Sequence, residues 1–154
     1  MKVNLLLADT ARIAEGKLDA LGVGWAVIVP GAPFTVCGVV HVPWHQGTEL
    51  HTLTLELLDG DGEPFCLPVE EGEPQPFRAE FKQDKPLRET VLPHIKPGTA
   101  LTWPFFLALG GFPLQPGMLY EWRLTIDGHH EEDWTLPFRT LSPPQPPEEM
   151  PEAA

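Results

Sequence analysis

Serine, cysteine and positive charge are the scarce commodities of this 154-residue chain: one Ser, two Cys and ten Lys plus Arg against 22 Asp plus Glu, a formal charge of −12. The single serine, Ser142, lies in a proline-rich C-terminal stretch, so no serine nucleophile sits on an ordered scaffold. Cys37 and Cys66 both fall in strand-like segments, and without an export signal they read as reduced, buried thiols. With no run of Lys or Arg to offset the acidic field, nucleic acid and anionic membrane surfaces are not expected partners. Long apolar runs are missing too. Nothing approaches the roughly 18 consecutive apolar residues of a membrane span. The apolar stretch near Met1 is interrupted by Asn4 and ends at Asp9, too short for a secretory core, so the expected location is the cytoplasm. Gly110-Gly111 and Gly22-Val23-Gly24 lack the spacing and the following helix of a phosphate-cradling loop. No nucleotide or other cofactor is expected.

What the chain does have is punctuation. Nineteen Pro and fourteen Gly break it too often for long helices, and 42% hydrophobic residues are too many for a disordered chain. Alternation of period two recurs. It is seen at Val3, Leu5 and Leu7 and at Trp25, Val27 and Val29, and Phe34 to Val42 follows as an apolar run that Pro43 closes. The alternation is cleanest at Leu53, Leu55 and Leu57, and again at Tyr120, Trp122, Leu124 and Ile126. Thr10 to Leu21 is open to a short helix, with Ala11, Ala14, Leu18 and Leu21 at near-helical intervals, or to a hairpin turning at Glu15-Gly16, which is favoured since a mid-helix glycine costs about 1 kcal/mol. Asp59-Gly60-Asp61-Gly62 predicts a second hairpin with Phe65 to Val69 as the returning strand, and Asp127-Gly128 a third that leads into Trp134, Leu136 and Phe138. Phe77, Ala79 and Phe81 mark a strand with charges facing water. Gln83 to Gly98 reads as a long connection between sheets, and Pro104 means that the strand around Trp103 to Leu109 is at an edge or begins there.

Eight or so short strands imply an all-β fold: an antiparallel two-sheet β-sandwich, immunoglobulin-like in the layout of its closing hairpin, over residues 1–140. Residues 141–154, rich in Pro and Glu, read as a disordered tail.

The blocks Asn4-Leu5-Leu6-Leu7-Ala8-Asp9, Gly16-Lys17-Leu18, Leu21-Gly22, Val42-Pro43-Trp44, Leu55-Glu56-Leu57-Leu58-Asp59 and Ile126-Asp127-Gly128 resemble a family of small uncharacterised bacterial proteins whose domain has no assigned function. The likeness spans residues 1 to 140. It implies a single all-β domain and brings no catalytic residue, cofactor or substrate.

Candidate sites rest on residue type. Cys37 and His41 share one strand face, Pro43 turns His45 back toward them, and His51 opens the next strand, a donor set suited to zinc but without its usual spacing. His129 and His130, beside Glu131, Glu132 and Asp133, form a second set of donors in the last hairpin loop. Asp59, Asp61, Glu63 and Glu70 follow a calcium-loop count, but Pro64 stands where that turn needs glycine. Trp44, with His45, sits in a polar turn as an exposed contact anchor. The expected function is a non-catalytic protein-binding or scaffold module engaging a protein partner or a second copy of itself. The rival is a metal-binding protein or metal-dependent enzyme built on the histidines.

Overall fold

The computed structural model describes residues 1–145. Two sheets carry the core. The smaller is built from β1 (Lys2–Ala8), β5 (Phe34–Val42) and β10 (Leu101–Leu109) in the order β1-β5-β10. The larger joins β4 (Val27–Ile28), β12 (Thr135–Thr140), β11 (Leu119–Ile126), β6 (Thr52–Asp59) and β9 (Arg78–Lys82) in the order β4-β12-β11-β6-β9. Both present alternate residues to one shared interior. Val36, Val40 and Phe105 come from the first sheet, and Leu53, Leu55, Leu57, Trp122, Leu124 and Phe138 from the second. β11 is the clearest case, with Tyr120, Trp122, Leu124 and Ile126 buried and the residues between them half-exposed. The Trp122 ring is wholly buried and lies edge-on to Phe77 at 5.9 Å, and Tyr120 stacks on Phe138 at 5.7 Å. Alternation on the sequence therefore marks the buried face wherever a strand is central.

The Thr10–Leu21 segment is a hairpin, as its glycine implies. β2 (Thr10–Ala14) pairs with β3 (Lys17–Leu21), and Glu15 and Gly16 both take positive φ, 52° and 71°, the twisted two-residue turn that antiparallel strands favour. The hairpin folds back over the outer face of β5 and β10, leaving Thr35 and Cys37 buried beneath it. β10 is an edge strand, which accommodates Pro104. The connection after β9 does cross between the sheets, and carries one short helix, α1 (Leu87–Thr90).

Four expectations are corrected. Around β4, Val27 and Val29 are exposed while Ile28 is the buried residue, so the inward face is the opposite of the one the alternation suggests; a two-residue edge strand has only one core position to fill. The same strand pairs parallel to β12, a departure from a purely antiparallel sandwich. Phe65 to Val69 returns along β6 only at its first residue. Pro64 bridges Leu58 and the Phe65 N–H reaches the Leu57 carbonyl at 2.8 Å. The chain then leaves to form β7 (Cys66–Leu67) with β8 (Gln75–Pro76), because β9 occupies the place beside Thr52 to Glu56. Finally, Cys66 is exposed, and only Cys37 is buried. Of the expected tail, residues 141–145 are exposed and outside any strand or helix; residues 146–154 lie outside the described residues.

Two outcomes follow from this packing. Trp122→Ala removes the largest wholly buried side chain and is expected to cost about 3–5 kcal/mol, read from the denaturant midpoint. A thiol reagent is expected to modify Cys66 in the native protein and Cys37 only on unfolding, since burial both shields the Cys37 thiol and pushes its pKa up; equal native rates would contradict the burial pattern.

Candidate functional site

The end of the sandwich where β6 begins and β11 ends gathers His51, Gln46, Gln83, Asp127, His129 and Glu131. β5 finishes at Val42, Pro43 stops the strand, and a 3-10 turn at Trp44–Gln46 follows. The chain then enters β6 through His51. Across the sheet, β11 closes in the Asp127-Gly128 turn, where Asp127 takes φ 51° and Gly128 φ 79°. Aspartate tolerates that left-handed conformation better than most residues. Ile126 and His129 exchange backbone hydrogen bonds of 2.8 and 2.9 Å across the turn.

His51 is buried, with 2% of its surface exposed. Its Nδ1 donates to Asp127 Oδ2 at 2.6 Å, and its Nε2 donates to the Gln46 carbonyl at 2.8 Å. Both partners are acceptors only, so both ring nitrogens carry hydrogen and the ring is an imidazolium. Burial works against that charge. The Asp127 hydrogen bond, the Gln46 carbonyl and the nearby carboxylates of Asp127 and Glu49 outweigh it, and the His51 pKa stands above its usual value. Asp127 Oδ1 also accepts from the Thr52 N–H at 2.8 Å, and Gln83 Oε1 accepts from the His51 N–H at 3.0 Å. A buried cation thus ties the start of β6, the 3-10 turn, the connection after β9 and the last hairpin together.

Beside this clamp is a cavity of about 320 Å³ lined by Met1, Gln46, Asp127, His129, Glu131 and Trp134 among others. His129 Nε2 meets Glu131 Oε1 at 2.6 Å, and that hydrogen bond holds the Glu131 carboxyl below its usual range. The two imidazole–carboxylate pairs are neighbours but not a common centre. His51 has no free ring nitrogen to act as a base or a ligand, and no Ser, Thr or Cys lines the cavity.

The remaining expected residues are scattered. Cys37 and His41 do share the outer face of β5, but four residues of strand separate them by about 13 Å, far beyond joint ligation of one ion. His41 meets Asn4 Nδ2 at 3.2 Å. His45 is exposed on the 3-10 turn, and His130 is tied through Nδ1 to the Leu124 carbonyl at 2.8 Å. Among the described residues no group of three or more His, Cys, Asp or Glu is placed to hold a metal ion. Trp44 is half-buried, not the exposed anchor its turn suggests. The Arg88 guanidinium lies 4.5 Å from its ring centroid, and Arg88 Nε donates to the Trp44 carbonyl at 2.7 Å. Asp127 carries the clamp, yet by sequence it is only a turn residue; its partner is 76 positions away, and no local pattern reports such a pair.

The sign of the pH dependence follows from the raised His51 pKa. Its stabilisation is complete below the unfolded value near 6.5 and is lost as pH rises through the higher folded value, with a slope of at most about 1.4 kcal/mol per pH unit between them. Asp127→Asn keeps the turn conformation and removes the charge. It is expected to lower the His51 titration midpoint followed by NMR and to flatten this loss; an unchanged midpoint would show that Asp127 does not hold the proton.

Comparison with known proteins matches residues 4–139 to the model of a family of unknown function, DUF6941. No curated protein and no solved structure matches the chain. With most of its length covered, from within β1 to within β12, the chain belongs to the DUF6941 family.

Proposed function

We propose that this chain is a non-catalytic protein-binding module that works through one open sheet edge, in a cytoplasmic setting. The observation that carries the reading is the contrast among the four edges of the two main sheets. An unpaired edge invites pairing with another chain, and charges, proline or a covering segment normally blunt it. β9 exposes Arg78, Glu80 and Lys82, and β1 exposes Lys2 and Asn4. β10 contains Pro104 and is flanked by the β2–β3 hairpin. β4 has no charge and no covering segment, and is blunted only by its two-residue length and by Pro30 beyond its end.

Residues 20–48, which include β4, contain no Asp, Glu, Lys or Arg. Val27 and Val29 are 51% and 56% exposed, Leu21 and Val23 70% and 50%. β12 bonds to the carbonyls of Ala26 and Ile28, so the Val27 N–H and C=O point to the open side. The sheet register continues the apolar surface from Val27 past Arg139 to Leu119, with Leu141 next along β12. An apolar strip with free backbone groups is what strand addition by a partner uses. The unpaired thiols of Cys37 and Cys66 suit a reducing compartment.

A photo-crosslinking residue at Val27 or Val29, in protein expressed in its own host, is expected to give a discrete adduct, and the same residue at Arg78 or Glu80 none. No adduct at either valine would refute the reading. An adduct only from position 45 would move the interface to the Trp44 and His45 turn.

A further inference from the structure

Resting on that reading, we infer that the partner at the β4 edge is a second copy of this chain, paired antiparallel through β4 about a two-fold axis. Charge is the first argument. Each copy carries −12 in all, so two copies repel over most of their surface. Val27 and Val29, the exposed side chains of and beside β4, are uncharged, and there the two copies meet without opposing carboxylates. Within the joined sheet the first charged residue on either side of the axis is Arg139. Arg139 is paired with Val27 in the neighbouring strand, so three strand spacings, about 14 Å, separate the two guanidinium-bearing strands. That exceeds the roughly 8 Å screening length at physiological salt.

Geometry is the second. Val27 turns both its N–H and its C=O outward, and among the described residues neither takes another backbone or side-chain partner outside the sheet ladders. Two copies related by a two-fold axis at Val27 exchange two hydrogen bonds, each N–H donating to the C=O of the other, the pairing an antiparallel ladder provides. An apolar strip is complementary to itself, as an isologous interface requires. Closure is the third argument. Joining the two five-stranded sheets through β4 consumes the uncharged edge of both copies and leaves β9, with Arg78, Glu80 and Lys82, at each end. Assembly therefore stops at two.

The test is the mass of the untagged full chain by sedimentation equilibrium across a wide concentration range. The expected result is a rise from 17.1 kDa toward twice that value, with association strengthened by added salt as the like charges are screened. The Val27→Lys, Val29→Lys double variant changes only exposed side chains and is expected to remain monomeric, with the thermal midpoint that the wild type has when diluted to its dissociated form. Hydrogen exchange of the wild-type Val27 amide, which needs no variant, is expected to slow as concentration rises. A monomeric mass and a fast-exchanging Val27 amide at every concentration would overturn the self-pairing, as would a dimer that survives the double variant. Crosslinking from Val27 separates this from the broader reading: an adduct of twice the chain mass supports the second copy, an adduct of another mass leaves a binding edge with a different occupant, and no adduct defeats both.

Discussion

Removal of alternate side chains of β6 and β11 from water is the interaction on which the other features depend. Leu53, Leu55 and Leu57 lie on the same inner face as Trp122, Leu124 and Ile126, and this pair of strands forms the middle of the larger sheet. A register slip of one residue in either strand would turn its whole apolar set outward. The smaller sheet, the hairpin on its outer face and the long connection after β9 are arranged around that centre, each adding its own apolar residues to it or to its edge.

The His51 clamp depends on the same register. Because Ile126 pairs with Leu53, the turn that follows β11 is brought against the residue that precedes β6, and Asp127 lands on His51. A buried imidazolium is costly unless every ring hydrogen finds an acceptor. Here Asp127 and the Gln46 carbonyl provide both, so the ion pair specifies how the strand ends and turns meet more than it adds stability. The arrangement accounts for one of the histidines that look like ligands or bases in the sequence: His51 has no ring nitrogen to offer.

The edges set the other constraint. A sandwich leaves four open strand edges, and a protein with a large negative charge has to leave at least one surface approachable if it associates at all. Charge, proline and a covering hairpin are spread over β9, β1 and β10, whereas β4 is short, apolar and uncharged. Selective exposure of that edge is what links the architecture to the binding role proposed for it.

Much of the fold was legible in residue order. Alternation located β1, β6, β9 and β11, and an apolar run located β5. Gly16 and the Asp127-Gly128 pair located turns, and Pro104 marked an edge, because steric preference and the two-residue pleat act locally and leave local traces. β4 and β7 were not legible. Whether a short apolar run faces inward, or stays with its neighbour, depends on which strand already occupies the adjacent position. Candidate chemistry was less legible still. Residue type singled out His51 and His129, but only the tertiary structure decided that one is clamped between Asp127 and Gln46, that Cys37 and His41 lie too far apart to share an ion, and that Trp44 sits beneath Arg88. The chain by itself determined which faces had to be buried, since alternation and hydrophobicity belong to the sequence. Which strands stand at the edges, and which polar groups meet, was decided by contacts between residues far apart along the chain, and local physical chemistry carries no record of those.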